Sequence, residues 1–327
     1  MKPQDTKHGE DFPETLQEAI TRFADEDRSF EFVRSIRWEG GVATCPRCAS
    51  KDSYFLPKRR MWKCKGCSFK FGVKQGTIFQ CSPLPLGKWL AGFWLLANAK
   101  NGISSYEVHR ALGVTQKTAW FMLGRIRLAI QNGSIVMLSG TCEVDESWIG
   151  GSARNMHKAK KAKVMKGNQN TALTPVQGLL ERGTRDKCSR VKLAIIRSTR
   201  RTELHGNVRK YVLKGAEVYT DALSAYRGLE IEYVHEVVDH AVEYVRGNVH
   251  TNGLENFWSL LKRSIRGTYV SVEPFHLFRY LDEQTFRFNE RKDDDQGRFL
   301  KAITGIIGKR LTYAKLTGDD AGLRSVA

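Results

Sequence analysis

The sequence predicts a mixed α/β domain preceded by two small modules, a zinc ribbon and a helix-turn-helix segment. Three observations predict it. Two CxxC pairs stand fifteen residues apart in the first quarter of the chain. Helical patterns punctuated by single glycines follow them. From about residue 139, short runs rich in Val, Ile and Leu come first alone and then alternate with helical periodicity, the order of a mixed α/β sheet.

The 327 residues allow two or three domains, and a hydrophobic content of 41% can bury at least one substantial core. With 53 Lys and Arg against 35 Asp and Glu, the net charge of +18 calls for a polyanionic partner, nucleic acid before membrane. The longest apolar stretch, at 90–97, is far shorter than the roughly 20 residues of a membrane helix. The opening residues are polar and hold no apolar signal core, so no membrane partner and a cytoplasmic location are expected. Four of the seven cysteines are paired at metal-ligand spacing, and Cys81, Cys142 and Cys188 are scattered. That usage suits a reducing compartment better than a disulfide framework.

Taken in order, residues 1–40 form a helical lead-in, with Leu16, Ile20, Phe23, Phe30, Phe32, Val33 and Ile36 at roughly helical spacing before a break at Gly40 and Gly41. Residues 41–80 are the zinc ribbon and 81–135 the helix-turn-helix segment. In the domain at 139–292, strands are expected at 141–149, 175–180, 191–196 and 218–220, and helices at 199–213, 252–265 and 274–290. A helical tail covers 293–327, with more helix expected at 296–315. Between 147 and 180 there is no acid, yet Arg154, Lys158, Lys160, Lys161, Lys163 and Lys166 cluster there, which reads as a mobile basic loop able to meet DNA phosphates.

In the ribbon, Cys45, Cys48, Cys64 and Cys67 supply four thiolates at the spacing that closes a tetrahedral zinc site. Four protein ligands leave no open position for water, so this Zn2+ is structural and holds together a module too small to fold on its own core. The segments around Tyr54 and Trp62 supply the hairpin strands.

In the next segment Ser104 or Ser105 caps one helix, Gly113 makes the turn, and Thr115 caps the second. Val108, Ala111, Leu112, Val114, Ala119 and Leu123 pack the two helices together. Gln116, Lys117, Arg125 and Arg127 then fall on exposed turns of the second helix, placed to meet base edges and phosphates. A plain helical hairpin has the same pattern.

The strand at 141–149 places Asp145 where burial is deepest, and an ionised carboxylate there needs a cation or hydrogen bonds to compensate it. Asp221 ends another strand. Glu255 sits on a helix, with Lys262 two turns onward on the same face. Three such acids can hold two divalent cations, Mg2+ with Mn2+ as a substitute, that activate a nucleophile and stabilise the leaving oxygen at a phosphodiester. Glu143 shares a strand face with Asp145 and is a spare ligand. Phe257 and Trp258 read as core, and His235, His240 and His250 as candidates to assist.

The motifs EVDESWIGG, YTDALSAY, HTNGLENFWSLLKRSIRGTY and HLFRYLDEQTFRFNER resemble those of the IS1595-type, ISXO2-like insertion-sequence transposases over roughly residues 30–290. The resemblance implies an RNase H-like fold at 139–292, a DDE metal site and movement of a DNA segment bounded by terminal inverted repeats. Asp145 and Asp221 match the family's two catalytic aspartates. Its third position varies between Glu and Asn, which makes Glu255 the choice and Asn252 the neighbour that substitutes or assists. The double-stranded DNA partners are the element ends and a target. Two ends must be handled together, so a homo-oligomer on DNA is expected, in a prokaryotic cytoplasm at the nucleoid.

Overall fold

The computed structural model describes residues 12–131, 136–150, 157–166, 169–170, 173–238 and 249–318. The chain divides into two compact units, one of residues 1–99, 103–132 and 293–327, the other of 100–102 and 133–292.

The first unit opens with α1 (Leu16–Ala24), which a Thr15 and Glu18 capping box starts, and α2 (Glu26–Arg37), which the Asp25 carboxylate caps. A three-stranded antiparallel sheet follows, β1 (Ser53–Leu56), β2 (Met61–Cys64) and β3 (Lys70–Gly72). Trp62 of β2 stacks on Phe30 of α2 at 5.7 Å and meets Trp38 edge-on at 4.7 Å, so the small sheet borrows its apolar cover from the lead-in helices. Then come α3 (Leu86–Asn98), α4 (Ser105–Leu112) and α5 (Gln116–Ile130). Ser104 and Glu107 form a capping box on α4, Gly113 ends it at φ 57°, and the Thr115 hydroxyl caps α5, the layout expected from the sequence.

The second unit is built on a five-stranded sheet of β4 (Thr141–Ile149), β7 (Thr174–Glu181), β8 (Arg190–Ile195), β9 (Glu217–Asp221) and β10 (Val234–Val238). Between β4 and β7 lie α6 (Lys158–Val164) and the two-residue strands β5 (Met165–Lys166) and β6 (Gln169–Asn170), so part of the basic stretch expected as a loop is helical. The strand order is β10-β9-β4-β7-β8; β7 runs antiparallel to β4 and β8, while β9 and β10 run parallel to β4. β4 is therefore central. Its even-numbered residues Cys142 and Val144 pack with α7 (Arg201–Tyr211). Its opposite face is covered by α8 (Asn252–Gly267), whose Leu254, Phe257, Trp258 and Leu261 are buried, in keeping with the core reading of Phe257 and Trp258, while α9 (Pro274–Asn289) packs on β8. β10 carries no strand signal strong enough to be predicted, because four of its five residues escape burial.

The helix expected at 296–315 is two, α10 (Asp295–Thr304) and α11 (Tyr313–Thr317), and both belong to the first unit. Gly305 ends α10 and packs so closely on α5 that a Cβ would lie 2.0 Å from the Ala129 carbonyl oxygen. Phe299 of α10 is fully buried against Trp94 of α3, Phe23 and Phe32. Leu311 and Leu316 close over Gly124 of α5. Fully burying Phe299 alone contributes about 1.5–3 kcal/mol.

Candidate active site

The register of the parallel pair builds the site. Val144 of β4 stands beside Thr220 of β9, so one residue on, Asp145 stands beside Asp221 at the C-terminal end of β9. Residues that pair in register point to one face, here the face that α8 covers. Trp258 of α8 donates its indole N–H to Asp145 Oδ2 at 2.9 Å, and the Glu146 backbone N–H donates to Oδ1 at 2.8 Å. Burial pushes the Asp145 carboxyl up to about 6 against those two hydrogen bonds, and the charges of Asp221 and Glu255 push the same way. The three predicted acids thus share one electrostatic neighbourhood. Asp221 Oδ1 accepts from the Leu223 backbone N–H at 3.2 Å, which holds the carboxylate at the strand end.

Glu255 and Asn252 lie exposed on the first turns of α8, and Lys262 is half-buried seven residues after Glu255 on the same helix. A further acid, Glu146, went unnoticed in the sequence. It points to the opposite face of β4 and accepts from the Tyr226 hydroxyl. Burial, then Asp221, then Asp145 raise its carboxyl to about 8. The signal available was the bare Asp145-Glu146 doublet inside a buried strand.

Glu143, the spare ligand of the sequence reading, is 1% exposed and already engaged. Its Oε1 accepts from Arg182 Nε at 2.7 Å and its Oε2 from the Leu254 backbone N–H at 2.9 Å. Arg182 Nη2 also reaches His250 Nδ1 at 2.7 Å and the His250 carbonyl at 2.8 Å. His235 is hydrogen-bonded to Thr220 at 3.0 Å, and His240 lies outside the described residues.

The metal chemistry fits the donors at both places. Cys45, Cys48, Cys64 and Cys67 form the one group of three or more candidate metal ligands, among the described residues, whose ligand atoms all lie within 4.8 Å. Their Sγ atoms approach to 3.7 Å for Cys45 and Cys67 and 3.5 Å for Cys48 and Cys64. Tetrahedral Zn–S bonds of about 2.3 Å put sulfurs about 3.8 Å apart. Each knuckle ends in a left-handed residue, Ala49 at φ 58° and Ser68 at φ 59°. In the second, the backbone N–H of Cys67 holds the Cys64 thiol down at about 7, toward the thiolate a metal needs. The acids around Asp145 are less tightly drawn together. They offer only carboxylate oxygens, the donors of a hard divalent cation, and their mutual repulsion is what such a cation relieves.

The predicted DNA-facing residues divide. Lys117 is exposed, with its ammonium 4.7 Å from the Tyr313 ring, and Gln116 is half-buried and donates to Ser105 Oγ at 2.8 Å. Arg125 does not face outward: it is 6% exposed, and its guanidinium donates to the carbonyls of Leu311, Ile78 and Gln80 at 3.0, 2.9 and 3.1 Å. Arg127 is buried as well. Both lie on turns that look open when the helical hairpin stands alone; Arg125 is engaged there by the segment at 78–80 and by Leu311. On α6, Lys158 and Lys161 are exposed; Arg154 and the side chains of Lys160, Lys163 and Lys166 lie outside the described residues.

Comparisons with known proteins match two parts of the chain. Residues 137–289 match the ISXO2-like transposase domain, and residues 24–69 match the transposase zinc-ribbon domain. An uncharacterized protein in transposable element ISH50 of Halobacterium salinarum is 27% identical over 256 residues, 75% of this chain and 84% of its own length. No helix among the described residues is long and apolar enough to cross a membrane.

Proposed function

From the premise that the chain belongs to the IS1595-type, ISXO2-like transposases, we propose that it cuts DNA at the ends of its own element and joins the freed 3′-hydroxyl to a target. The observation that carries this reading is the placement of Asp145 beside Asp221 on parallel strands, with the first turns of α8 on the same sheet face. The proposed site is Asp145, Asp221 and Glu255 on an RNase H-like sheet, with Asn252 as the neighbour that substitutes or assists. Two Mg2+ ions there, or Mn2+, would activate the attacking oxygen and stabilise the leaving one.

The chain's own part is to hold these groups still. Trp258 and the Glu146 N–H fix both oxygens of Asp145, and the Leu223 N–H fixes Asp221. Lys262 brings a cation to a DNA phosphate. First, a water oxygen attacks phosphorus and the element's 3′-oxygen leaves with a proton. Then that 3′-hydroxyl attacks a target phosphodiester and the target's own 3′-oxygen leaves. The α4–turn–α5 segment, with Gln116 and Lys117, serves as a helix-turn-helix on the terminal inverted repeats, and the basic stretch with Lys158, Lys160, Lys161 and Lys163 runs along phosphates. A homo-oligomer on DNA, at the nucleoid in the cytoplasm, completes the reading.

The test is incubation of the full chain with duplexes carrying its element ends and Mg2+, scored for nicking and joining. Asp145→Asn, Asp221→Asn and Glu255→Gln should each lower nicking by several orders of magnitude while duplex binding in EDTA persists. Near-normal nicking by either aspartate variant overturns the mechanism; near-normal nicking by Glu255→Gln moves the third role to Asn252.

A further inference from the structure

Helix α8 begins without the device that usually begins a helix. Its N-cap residue, Thr251, makes no side-chain capping hydrogen bond, although threonine is a preferred cap. The N–H that such a cap would satisfy, that of Leu254 at the third helical position, donates instead to Glu143 Oε2 at 2.9 Å, across 111 residues of chain. The negative carboxylate thus sits at the positive end of the helix dipole. Arg182 closes the clamp from the other side, holding Glu143 Oε1 and both the ring and carbonyl of His250, the residue before the cap. Gly253 has a defined reason to be glycine here. A Cβ on it would lie 2.7 Å from Glu143 Oε2 and 3.0 Å from Oε1.

We propose that Glu143 is a positioning residue: it caps α8 from the neighbouring strand and, with Arg182, sets the distance between Asp145 on β4 and the α8 residues Asn252 and Glu255. Glu143 and Asp145 are two residues apart on one strand face, a rise of about 6.8 Å. Leu254 immediately precedes Glu255. A single carboxylate therefore ties the strand of one acid to the helix of another within one residue of the acid it must place. The clamp also explains why Glu143 is no ligand. Arg182 and Leu254 already occupy its two oxygens, and the His250 ring stands 3.7 Å from Oε1.

The inference rests on the catalytic reading above, so its test includes readouts other than nicking. The full-length chain is compared with Gly253→Ala and Glu143→Gln by thermal melting, by duplex binding in EDTA, by Mn2+ affinity without DNA, by hydrogen exchange at the Leu254 amide, and by nicking against Mn2+ concentration. Residues that orient metal ligands change affinity by about 10–100-fold when altered, so Gly253→Ala should need about tenfold more Mn2+ in both binding and nicking. Its duplex binding in EDTA should stay at the wild-type value, and its Leu254 amide should exchange faster. Glu143→Gln keeps an acceptor for Leu254 and should fall between the two, with excess Mn2+ restoring much of the nicking rate. A merely structural Glu143 would lower melting temperature with Mn2+ affinity unmoved in the folded protein, and that result overturns the proposal. A wild-type chain that neither takes up Mn2+ nor nicks would sink the catalytic reading itself; a wild-type chain that does both, matched by Gly253→Ala, would sink only the clamp.

Discussion

Replacing Gly178 by alanine probes the contact between the sheet and α8 at its tightest point. Gly178 lies opposite Asp145 in the β4–β7 pair, and a Cβ there would stand 2.7 Å from Trp258 Cζ2 and 2.8 Å from Leu254 Cδ2. Carbon atoms in contact rest at about 3.5–4.0 Å, so the indole must retreat by roughly 1 Å. Overpacking of this kind costs about 1–3 kcal/mol. Alanine recovers about 0.5–1 kcal/mol of backbone entropy that glycine loses in a strand. A net loss of about 1–2 kcal/mol follows, which in a unit of this size lowers the melting temperature by roughly 2–8 °C. The indole that moves is also the donor to Asp145 Oδ2. Nicking at 25 °C, where the variant is still folded, should therefore fall further than stability accounts for. Adding Trp258→Phe removes the clashing indole atoms and leaves only the Leu254 contact, so the double variant should regain part of the melting temperature lost in Gly178→Ala while nicking stays low. Calorimetric melting in EDTA and Mg2+-dependent nicking measure the two effects. A Gly178→Ala chain that melts at or above the wild-type temperature would refute the packing argument, and a double variant with restored nicking would refute the role of the indole N–H.

Three further outcomes follow from the same geometry. Metal analysis should find about one zinc per chain, and the Cys64→Ser, Cys67→Ser variant should lose it together with the ribbon's protection from protease, because one four-thiolate site holds that module together; unchanged metal content would exclude this site. In EDTA, Asp145→Asn should be more stable than wild type at pH 7 by up to about 3 kcal/mol, since a folded-state value near 6 penalises the charged form. The folded pKa is raised, so the penalty is absent below about pH 4, grows as pH rises to about 6 and is constant above; a gain that persists at pH 3.5 would contradict it. Arg125→Ala should lower the melting temperature by leaving three carbonyls without their donor, with no change in the salt slope of duplex binding, whereas Lys158→Ala, Lys161→Ala should leave melting unchanged and reduce that slope by up to about 2. The opposite assignment of the two effects would return Arg125 to the DNA-facing surface.

What could be read from the sequence was what short-range pattern encodes. The strand at 141–149 has the expected bounds, the caps at Ser104 and Thr115 fall where their side chains predict, and the cysteine spacing gives the ribbon. Asp145 stood out because an acid in a buried strand is costly, and Asp221 because it ends a strand within a family motif. The missing parts all depend on contacts distant in sequence. Arg125 looked exposed because its partners lie outside the hairpin, Leu311 186 residues on and Ile78 and Gln80 47 and 45 residues back. The need for glycine at 305 shows only against the Ala129 carbonyl, and β10 pairs along the edge that β9 offers it. Glu143 showed its strand face but not its partners, since Arg182 and Leu254 are 39 and 111 residues away.

The return of the last helices to the first unit has a consequence for synthesis. The second unit is complete once residue 292 has left the ribosome, whereas the first, begun earlier, still lacks Phe299, Leu311 and Leu316. Until they arrive, Phe23, Phe32 and Trp94 lack the Phe299 ring that packs on all three, and exposed aromatic surface of this kind draws proteases and aggregation. A chain stopped after Lys292 should thus keep a folded second unit yet be cleared from the cell, which pulse labelling of the truncated and full-length products would register as unequal lifetimes. Copies that stop before Phe299 should then be lost sooner than copies that carry it.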